Sequence, residues 1–167
     1  MNAPTFTLTR QFDAPPALVW RTWTEPDLIG RWYGPGVETE VHRFDPAPVG
    51  LWLHEMKMGD QSMYQRIEFV EVEPPSKLVM LMSNADSDWN VIASPMTPNW
   101  PTTLMTKVTF EAEGDGTLLT LDWTPFEASE AEHAMFDSAK EGLGQGWGKG
   151  MDMIAEIVAE LAAENLG

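Results

Sequence analysis

The sequence predicts an α+β fold in which a curved antiparallel β-sheet of about seven strands wraps around one long C-terminal α-helix. Three observations predict it: two short helical patterns follow the first strand, the middle of the chain alternates with the period of a half-buried strand, and only the C-terminal segment keeps a helical period for several turns. A single long amphipathic helix is therefore available to cover the apolar face of the sheet.

The first strand and the two short helices occupy the N-terminal fifth of the chain. Residues 5–12, TFTLTRQF, alternate polar and apolar side chains and predict a strand. The segment DAPPALVWRTWTEP predicts a short helix that begins near Pro15 and Pro16, since proline suits a first helical turn. A second short helix is expected to begin at a capping-box-like pair, Thr24 and Asp27, and to end at the motif YGPG.

The middle of the chain has the composition of strands separated by turns. Four strands are predicted there, at residues 37–44, 51–58, 63–72 and 78–83. A hairpin follows in TLMTKVTFEAEGDGTLLTLDW, with Asp115-Gly116 in its turn. The long helix is then expected to begin at a capping box formed by Ser129 and Glu132.

The whole chain, residues 1–167, is interpreted as one domain, because this length can bury a single large core and no linker interrupts it. Residues 84–103, NADSDWNVIASPMTPNWPTT, are irregular and longer than most connections between strands. We interpret them as an insertion that serves as a lid or as a dimer contact, so that the chain is expected to be a monomer or a homodimer.

Composition restricts the classes of partner. The chain contains ten Lys and Arg and 26 Asp and Glu, which gives a net charge of −16. Binding to nucleic acid or to an anionic membrane surface is therefore not expected. The absence of cysteine excludes disulfides and thiolate metal sites. With no apolar run long enough to span a membrane and no secretory signal, the expected location is the cytoplasm.

Five glycines alternate with other residues in EGLGQGWGKG, residues 141–150. Neither a dinucleotide-binding nor a Walker-type phosphate loop has its glycines at these spacings. Because each helical glycine costs about 0.8–1.0 kcal/mol relative to alanine, a structural reason is expected. We expect the glycines to let the helix approach the sheet, or a molecule between them, very closely; a hinge or an entrance is the alternative.

Two segments approach metal-binding motifs without completing them. HEMKM lacks the second histidine of a zinc-binding HExxH motif, and DSDWNV lacks the later glycine and glutamate of a calcium loop. No metal and no cofactor is therefore predicted.

Residues 13–36, DAPPALVWRTWTEPDLIGRWYGPG, resemble the opening signature of the Aha1/CalC-like branch of the START-like (SRPBCC) superfamily. Further similarity lies in the Gly-Leu-Trp strand start at residues 50–52 and in VEVEPPSKLV, GTLLTLDWTPF and GWGKGMDMIAEIVAEL, so that it covers nearly the whole chain. The resemblance implies a helix-grip fold. It also implies one of the family's roles: carriage of small hydrophobic ligands, catalysis in a few members, or stimulation of the Hsp90 chaperone ATPase, as in the eukaryotic namesake.

The candidate cavity residues come from the predicted inward faces of strands and helix. His54 shares a strand face with Trp52 and Met56, and is either a proton donor or ligand partner, or a histidine of the core. Eight Trp and 11 Met are typical of an adaptable pocket or of a plain core. Met105 is also expected to face inward. The predicted cavity residues are Trp52, His54, Met56, Met80, Met82, Trp123, Phe136, Leu143, Trp147 and Met151.

The sequence thus predicts binding of a small hydrophobic or aromatic molecule between the sheet and the C-terminal helix. Two alternatives stay open at this point. One is a protein-interaction module that resembles an Hsp90 co-chaperone domain, and the other is a cavity enzyme of the cyclase or hydrolase type that uses His54. Binding rather than catalysis is expected, because no catalytic triad or other complete catalytic motif is present.

Overall fold

The structure is a computed structural model that describes residues 4–33, 38–94 and 97–166. It confirms the predicted helix-grip architecture: seven antiparallel strands form one curved sheet, two short helices follow the first strand, and a long helix ends the chain. The elements are β1 Phe6–Phe12, α1 Pro16–Thr24, α2 Pro26–Trp32, β2 Glu38–Phe44, β3 Leu51–Met58, β4 Gln61–Glu73, β5 Lys77–Ala85, β6 Thr103–Glu113, β7 Gly116–Pro125 and α3 Glu130–Leu166.

The strands follow the order β1-β7-β6-β5-β4-β3-β2, and every neighbouring pair is antiparallel. The two strands at the sheet edges, β1 and β2, are consecutive in sequence, so α1 and α2 connect one edge to the other. Register shifts lie between Val41 and Arg43 and between Phe69 and Glu71. Irregularities of this kind bend a strand and increase its twist.

The register determines which side chains lie beneath the long helix. Thr106 pairs with Met80 on one side and with Trp123 on the other, which places these three residues on the inner face of the sheet. Met105 lies one position earlier and pairs with Leu81, on the opposite face. The expectation that Met105 faces inward is therefore wrong, because side chains alternate between the two faces of a strand.

Helix α3 begins at the predicted capping box. The backbone N–H of Glu132 donates to Ser129 Oγ over 3.1 Å, and the N–H of Ser129 donates to a Glu132 carboxylate oxygen over 3.1 Å. Two backbone donors at the helix start are thus satisfied by side chains. The prediction is confirmed.

The start of α2 differs from the prediction. Glu25 is its N-cap and makes no side-chain cap, while the Thr24 hydroxyl donates back to the carbonyl oxygen of Trp20 over 2.9 Å. The capping-box interpretation of Thr24 and Asp27 is wrong, because the Thr24 hydroxyl bonds within α1 instead. Of the expected stop motif YGPG, only Tyr33 lies within the described residues.

Helix α3 continues through all five glycines of the Gly-rich segment. A Cβ atom added to Gly142, Gly146 or Gly148 would meet no atom within 4 Å, and at Gly144 it would make an ordinary contact of 3.8 Å. Only at Gly150 is the approach close, since a Cβ would lie 3.4 Å from Cε3 of Trp32. The expected close approach is therefore wrong for most of the segment. These glycines leave space beside the helix.

We expect Gly148→Ala to stabilise the protein. The new methyl group meets no neighbour within 4 Å, so the substitution introduces no clash. Because alanine has a higher helix propensity than glycine, the free energy of unfolding should rise by about 0.5–1 kcal/mol and Tm by a few degrees. Thermal unfolding followed by circular dichroism measures it. Gly150→Ala is the comparison, because its methyl group would lie 3.4 Å from Cε3 of the buried Trp32 and has less room, so it should gain less; an equal gain there would contradict this explanation.

The core lies between the inner face of the sheet and the three helices, and aromatic residues from every layer contribute to it. The rings of Trp23, Trp32 and Trp52 are no more than 1% exposed. Trp23 and Trp32 lie 4.6 Å apart between ring centroids and join the two short helices, and Trp23 meets Phe110 of β6 edge-on at 6.4 Å. None of the helices in the described ranges is long and apolar enough to cross a membrane.

Candidate functional site: a cleft beneath the long helix

A cavity of about 330 Å³ lies between α3 and the sheet, and we call it the inner cavity. The end of α2 closes one side, strands β3, β4 and β7 supply another, and α3 supplies the third. The described residues that line it are Trp32, Tyr33, Met56, Gln65, Trp123, Leu143, Gly146, Trp147 and Gly150. Most of them are aromatic or aliphatic, and none carries a charge.

The aromatic wall of the inner cavity is fixed by ring contacts. The Trp147 ring is nearly parallel to that of Trp23, with centroids 6.3 Å apart, and it meets Trp123 edge-on at 5.6 Å. Such pairs contribute stability beyond the area that they bury. Trp147 is thereby positioned by two other tryptophans, while Gly146 and Gly150 beside it occupy little of the space between helix and sheet.

Tyr33 and Gln65 form the polar part of the inner cavity. The Tyr33 hydroxyl donates to Gln65 Oε1 and contacts the sulfur of Met82 at 4.0 Å. Burial raises the pKa of Tyr33 well above its usual value, so the phenol stays neutral. The pair presents neutral hydrogen-bonding groups to an otherwise apolar space.

His54 lies behind this wall and does not line the inner cavity. Its side chain is fully buried, its ring centroid is 4.7 Å from that of Tyr33, and its Nδ1 accepts a hydrogen bond from Trp52 Nε1 over 3.2 Å. Burial lowers the pKa of His54 to about 4, with a smaller contribution from the charge of His42. The neutral ring therefore carries its proton on Nε2, which has no hydrogen-bond partner among the described residues.

A second space of about 410 Å³ continues from the inner cavity, and we call it the outer cleft. The two spaces share Gln65 and Leu143 in their linings. The described residues of the outer cleft are Met63, Gln65, Asn84, Ser94, Thr97, Trp100, Met135, Ala139, Gly142 and Leu143. Along α3 the two linings run from Met135 to Gly150, a length of about 22 Å at the usual helical rise.

The insertion, residues 84–103, forms one wall of the outer cleft. Near its end, the Trp100 ring contacts Phe136 at 5.8 Å and Trp123 at 6.1 Å. The N–H of Thr102 donates to a carboxylate oxygen of Glu132 over 3.1 Å, which ties the segment to the start of α3.

Near its beginning the insertion forms a tight turn. A carboxylate oxygen of Asp86 accepts the backbone N–H groups of Asp88 and Asn90, over 2.9 and 3.0 Å.

The Trp89 ring of this turn meets the rings of His42 and Tyr64 with centroids 5.2 Å apart in each case, so both described parts of the insertion contact the body of the protein. Its role as a lid or dimer contact stays a prediction. Pro95 and Met96 lie outside the described residues.

The structure brings the predicted cavity residues together beneath α3 but divides them into two groups. Those that line the inner cavity are Met56, Trp123, Leu143 and Trp147. Those buried in the layer behind it or beside it are Trp52, His54, Met80, Met82, Phe136 and Met151.

Sequence reasoning missed part of the lining, namely Trp32, Tyr33, Gln65, Gly146 and Gly150. Gln65 could have been found, because it alternates with Met63 and Ile67 on the same strand face. Trp32 and Tyr33 follow the last turn of α2, and only the chain path shows that they reach the cavity. The glycine pattern predicts a close approach of the helix, which holds at Gly150 but not at Gly146, where the structure leaves open space.

The one compact group of metal-ligating atoms found among the described residues lies on the other face of the sheet, with two of its three members exposed. It consists of Glu40, His42 and Glu55, whose ligand atoms lie within 4.8 Å of one another. Lys57 Nζ approaches Glu40 to 3.2 Å, and Ser62 donates a hydrogen bond to Glu55. Ion pairs and hydrogen bonds within the sheet therefore account for this group.

The fold and the cleft define a helix-grip α+β protein with a ligand-sized space between sheet and helix. The chain belongs to the family described as Activator of Hsp90 ATPase homolog 1-like protein, whose model matches residues 13–159. No curated protein matches the chain significantly.

Solved structures of similar fold come from several bacteria. A crystal structure of a Mycobacterium smegmatis protein has 22% sequence identity and a TM-score of 0.73, and covers 94% of this chain and 95% of that one. A solution structure of an Arthrobacter aurescens protein has 23% identity and a TM-score of 0.76, covering 95% and 87%. A Rhodobacter sphaeroides protein has 18% identity and a TM-score of 0.75, covering 96% and 95%. Likeness at these identities establishes the fold alone. The matched family generally provides ligand-binding or interaction modules.

Proposed function

We propose that the protein binds a small apolar or aromatic molecule in the inner cavity. The observation that carries this proposal is the cavity itself: about 330 Å³, at the lower end of the range usual for ligand sites, with aromatic walls and one neutral polar pair. A nonpolar ligand in this space would remove aromatic surface from water, which favours binding.

The glycines of α3 support the proposal. Helical glycine costs about 0.8–1.0 kcal/mol relative to alanine. Gly142 and Gly146 border the two spaces, and a Cβ at either position would meet nothing. The cost is explained if those positions must stay open for a ligand.

The surroundings of His54 favour binding over catalysis. The ring lies behind Tyr33 rather than in the lining, and its lowered pKa leaves it neutral near pH 7. A general acid or base must lie within hydrogen-bond reach of its substrate or be connected to it through one water molecule. His54 instead supports the position of Tyr33.

Occlusion of the inner cavity tests the proposal. N-phenyl-1-naphthylamine, a neutral dye whose fluorescence rises in apolar surroundings, is titrated into the wild-type protein and into Gly146→Leu. We expect binding to the wild type and at least about a tenfold weaker affinity in the variant, because the new side chain enters the cavity.

Gly148→Leu is the matched control for this titration. Gly148 has equally open surroundings but is not among the lining residues, so its substitution adds the same side chain outside the cavity. We expect wild-type affinity there. Equal weakening in both variants, or no dye binding by the wild type, would contradict the proposal.

A protein-interaction role is the second candidate, and the family match favours it. The matching model is named for an activator of the Hsp90 ATPase and covers residues 13–159. The net charge of −16 would attract a basic surface on a chaperone, with an affinity that falls as salt rises. The ATPase rate of a bacterial Hsp90 with and without the protein tests this role, and an unchanged rate would exclude stimulation of that chaperone.

A further inference from the structure

The inner cavity and the outer cleft meet at Gln65 and Leu143, which line both spaces. We propose that this junction selects a neutral aromatic ligand that carries an acceptor oxygen, such as a ketone carbonyl, and that the side-chain amide of Gln65 donates a hydrogen bond to that oxygen. The inference rests on the ligand-binding function proposed above and names the chemical class of its ligand.

The orientation of the Gln65 amide is the first argument. Its Oε1 accepts the hydroxyl proton of Tyr33, so this oxygen is engaged and the NH₂ group is left to donate. Nε2 has no hydrogen-bond partner among the described residues, and it is not one of the polar atoms buried from solvent. A donor that is accessible in an apolar cavity favours a ligand with an acceptor at that point.

Asn84 supplies a second carboxamide beside the first. It lies directly opposite Gln65 in the register of β4 and β5, and it lines the outer cleft. Its backbone carbonyl accepts the N–H of Ile92, while its side chain makes no hydrogen bond with the rest of the described chain. Cβ atoms of directly opposed residues are about 4.5–5.5 Å apart, so one ligand oxygen can reach both amides.

The absence of charged side chains from the described lining of the two spaces favours a neutral ligand. Their described lining contains no Lys, Arg, Asp or Glu, and the whole chain carries a net charge of −16. A ligand carboxylate would leave water without meeting a cation, which is costly in an apolar site. A carbonyl oxygen needs only a neutral donor, and Gln65 provides one.

Three ligands with one diphenyl skeleton test the inference. Benzophenone carries the carbonyl, diphenylmethane lacks it, and 4-benzoylbenzoate adds a negative charge. Displacement of N-phenyl-1-naphthylamine measures the affinity of each. We expect benzophenone to bind about tenfold more tightly than diphenylmethane, the value of one well-formed hydrogen bond, and at least about tenfold more tightly than 4-benzoylbenzoate.

Variants identify the donor. Gln65→Met removes the amide at similar length and should abolish the preference for the ketone over the hydrocarbon. Gln65→Glu keeps an acceptor for Tyr33 but replaces the donor by a carboxylate oxygen, so the preference should reverse. Gln61→Met, the same substitution at an exposed position of β4 outside both linings, should leave the preference intact.

Equal affinity of the wild type for benzophenone and diphenylmethane would overturn the inference while the binding function stands. So would a ketone preference that survives in both Gln65 variants, with folding checked by circular dichroism. If neither the dye nor any of the three ligands binds the wild type, the proposed function fails and this inference fails with it.

Discussion

Gly50→Ala is expected to destabilise the protein by at least about 3 kcal/mol, a large part of the stability of an ordinary domain. A Cβ atom at this position would lie 2.1 Å from the backbone oxygen of Asp45 and 2.8 Å from that of Ala47. Both neighbours are backbone atoms, so neither can rotate away. The turn between β2 and β3 would have to open.

The consequences of opening this turn reach the site. The N–H of Asp45 donates to the carbonyl of Leu51 over 2.9 Å, and Gly50 accepts the N–H of Phe69 over 3.0 Å. These bonds fix the start of β3, which carries Trp52 and His54 beneath the cavity. If the turn opens, the loop loses its contacts, and β3 is also no longer held in register with its neighbouring strands.

Urea denaturation followed by tryptophan fluorescence measures the loss, and Gly59→Ala is the matched control. Gly59 has a φ of +62°, but a Cβ there would meet nothing within 4 Å. Its substitution should cost only the backbone preference, about 1 kcal/mol. A Gly50→Ala variant no less stable than Gly59→Ala would show that the steric argument is wrong.

The order of the elements along the chain and the placement of the long helix could be predicted because local signals and the global solution agree, whereas the order of the strands within the sheet came from the structure. Alternation identifies each strand, and one apolar helix must cover one apolar sheet face. The cleft could be predicted less well, because its width depends on where α3 does not touch the sheet. No periodicity of the sequence encodes that distance.

The glycines of α3 show why the shape of the cleft could not be predicted from the sequence. A glycine is expected both where the backbone must pass close to another group and where a side chain must be absent, and the sequence pattern is the same in the two cases. Gly150 follows the first rule and Gly146 the second, although they lie one helical turn apart. Tyr33 illustrates the same limit, since it follows α2 and reaches Gln65 only through the chain path.

His54 should make the protein less stable between about pH 6.5 and pH 4. Burial lowers the pKa of the folded state to about 4, whereas an unfolded histidine has a pKa of about 6.5. Between these values the unfolded chain binds more protons, so the free energy of unfolding falls as the pH falls and is highest above pH 6.5. At pH 5 the loss amounts to about 2 kcal/mol, and it approaches about 3 kcal/mol near pH 4.

His54→Asn separates this contribution from that of the carboxylates. Asparagine can still accept the hydrogen bond of Trp52 but does not titrate, so urea midpoints measured from pH 7 to pH 4.5 should become nearly constant. Glu55 and Asp86, whose pKa values are lowered mainly by hydrogen bonds, add their own loss of stability only as the pH falls through their unfolded pKa values of 4.5 and 3.8. His133→Asn, the same substitution at a half-buried position, is the control for the exchange of an imidazole for an amide. A slope that persists in His54→Asn would mean that His54 is solvated in solution, and the wall between it and the inner cavity would then be open.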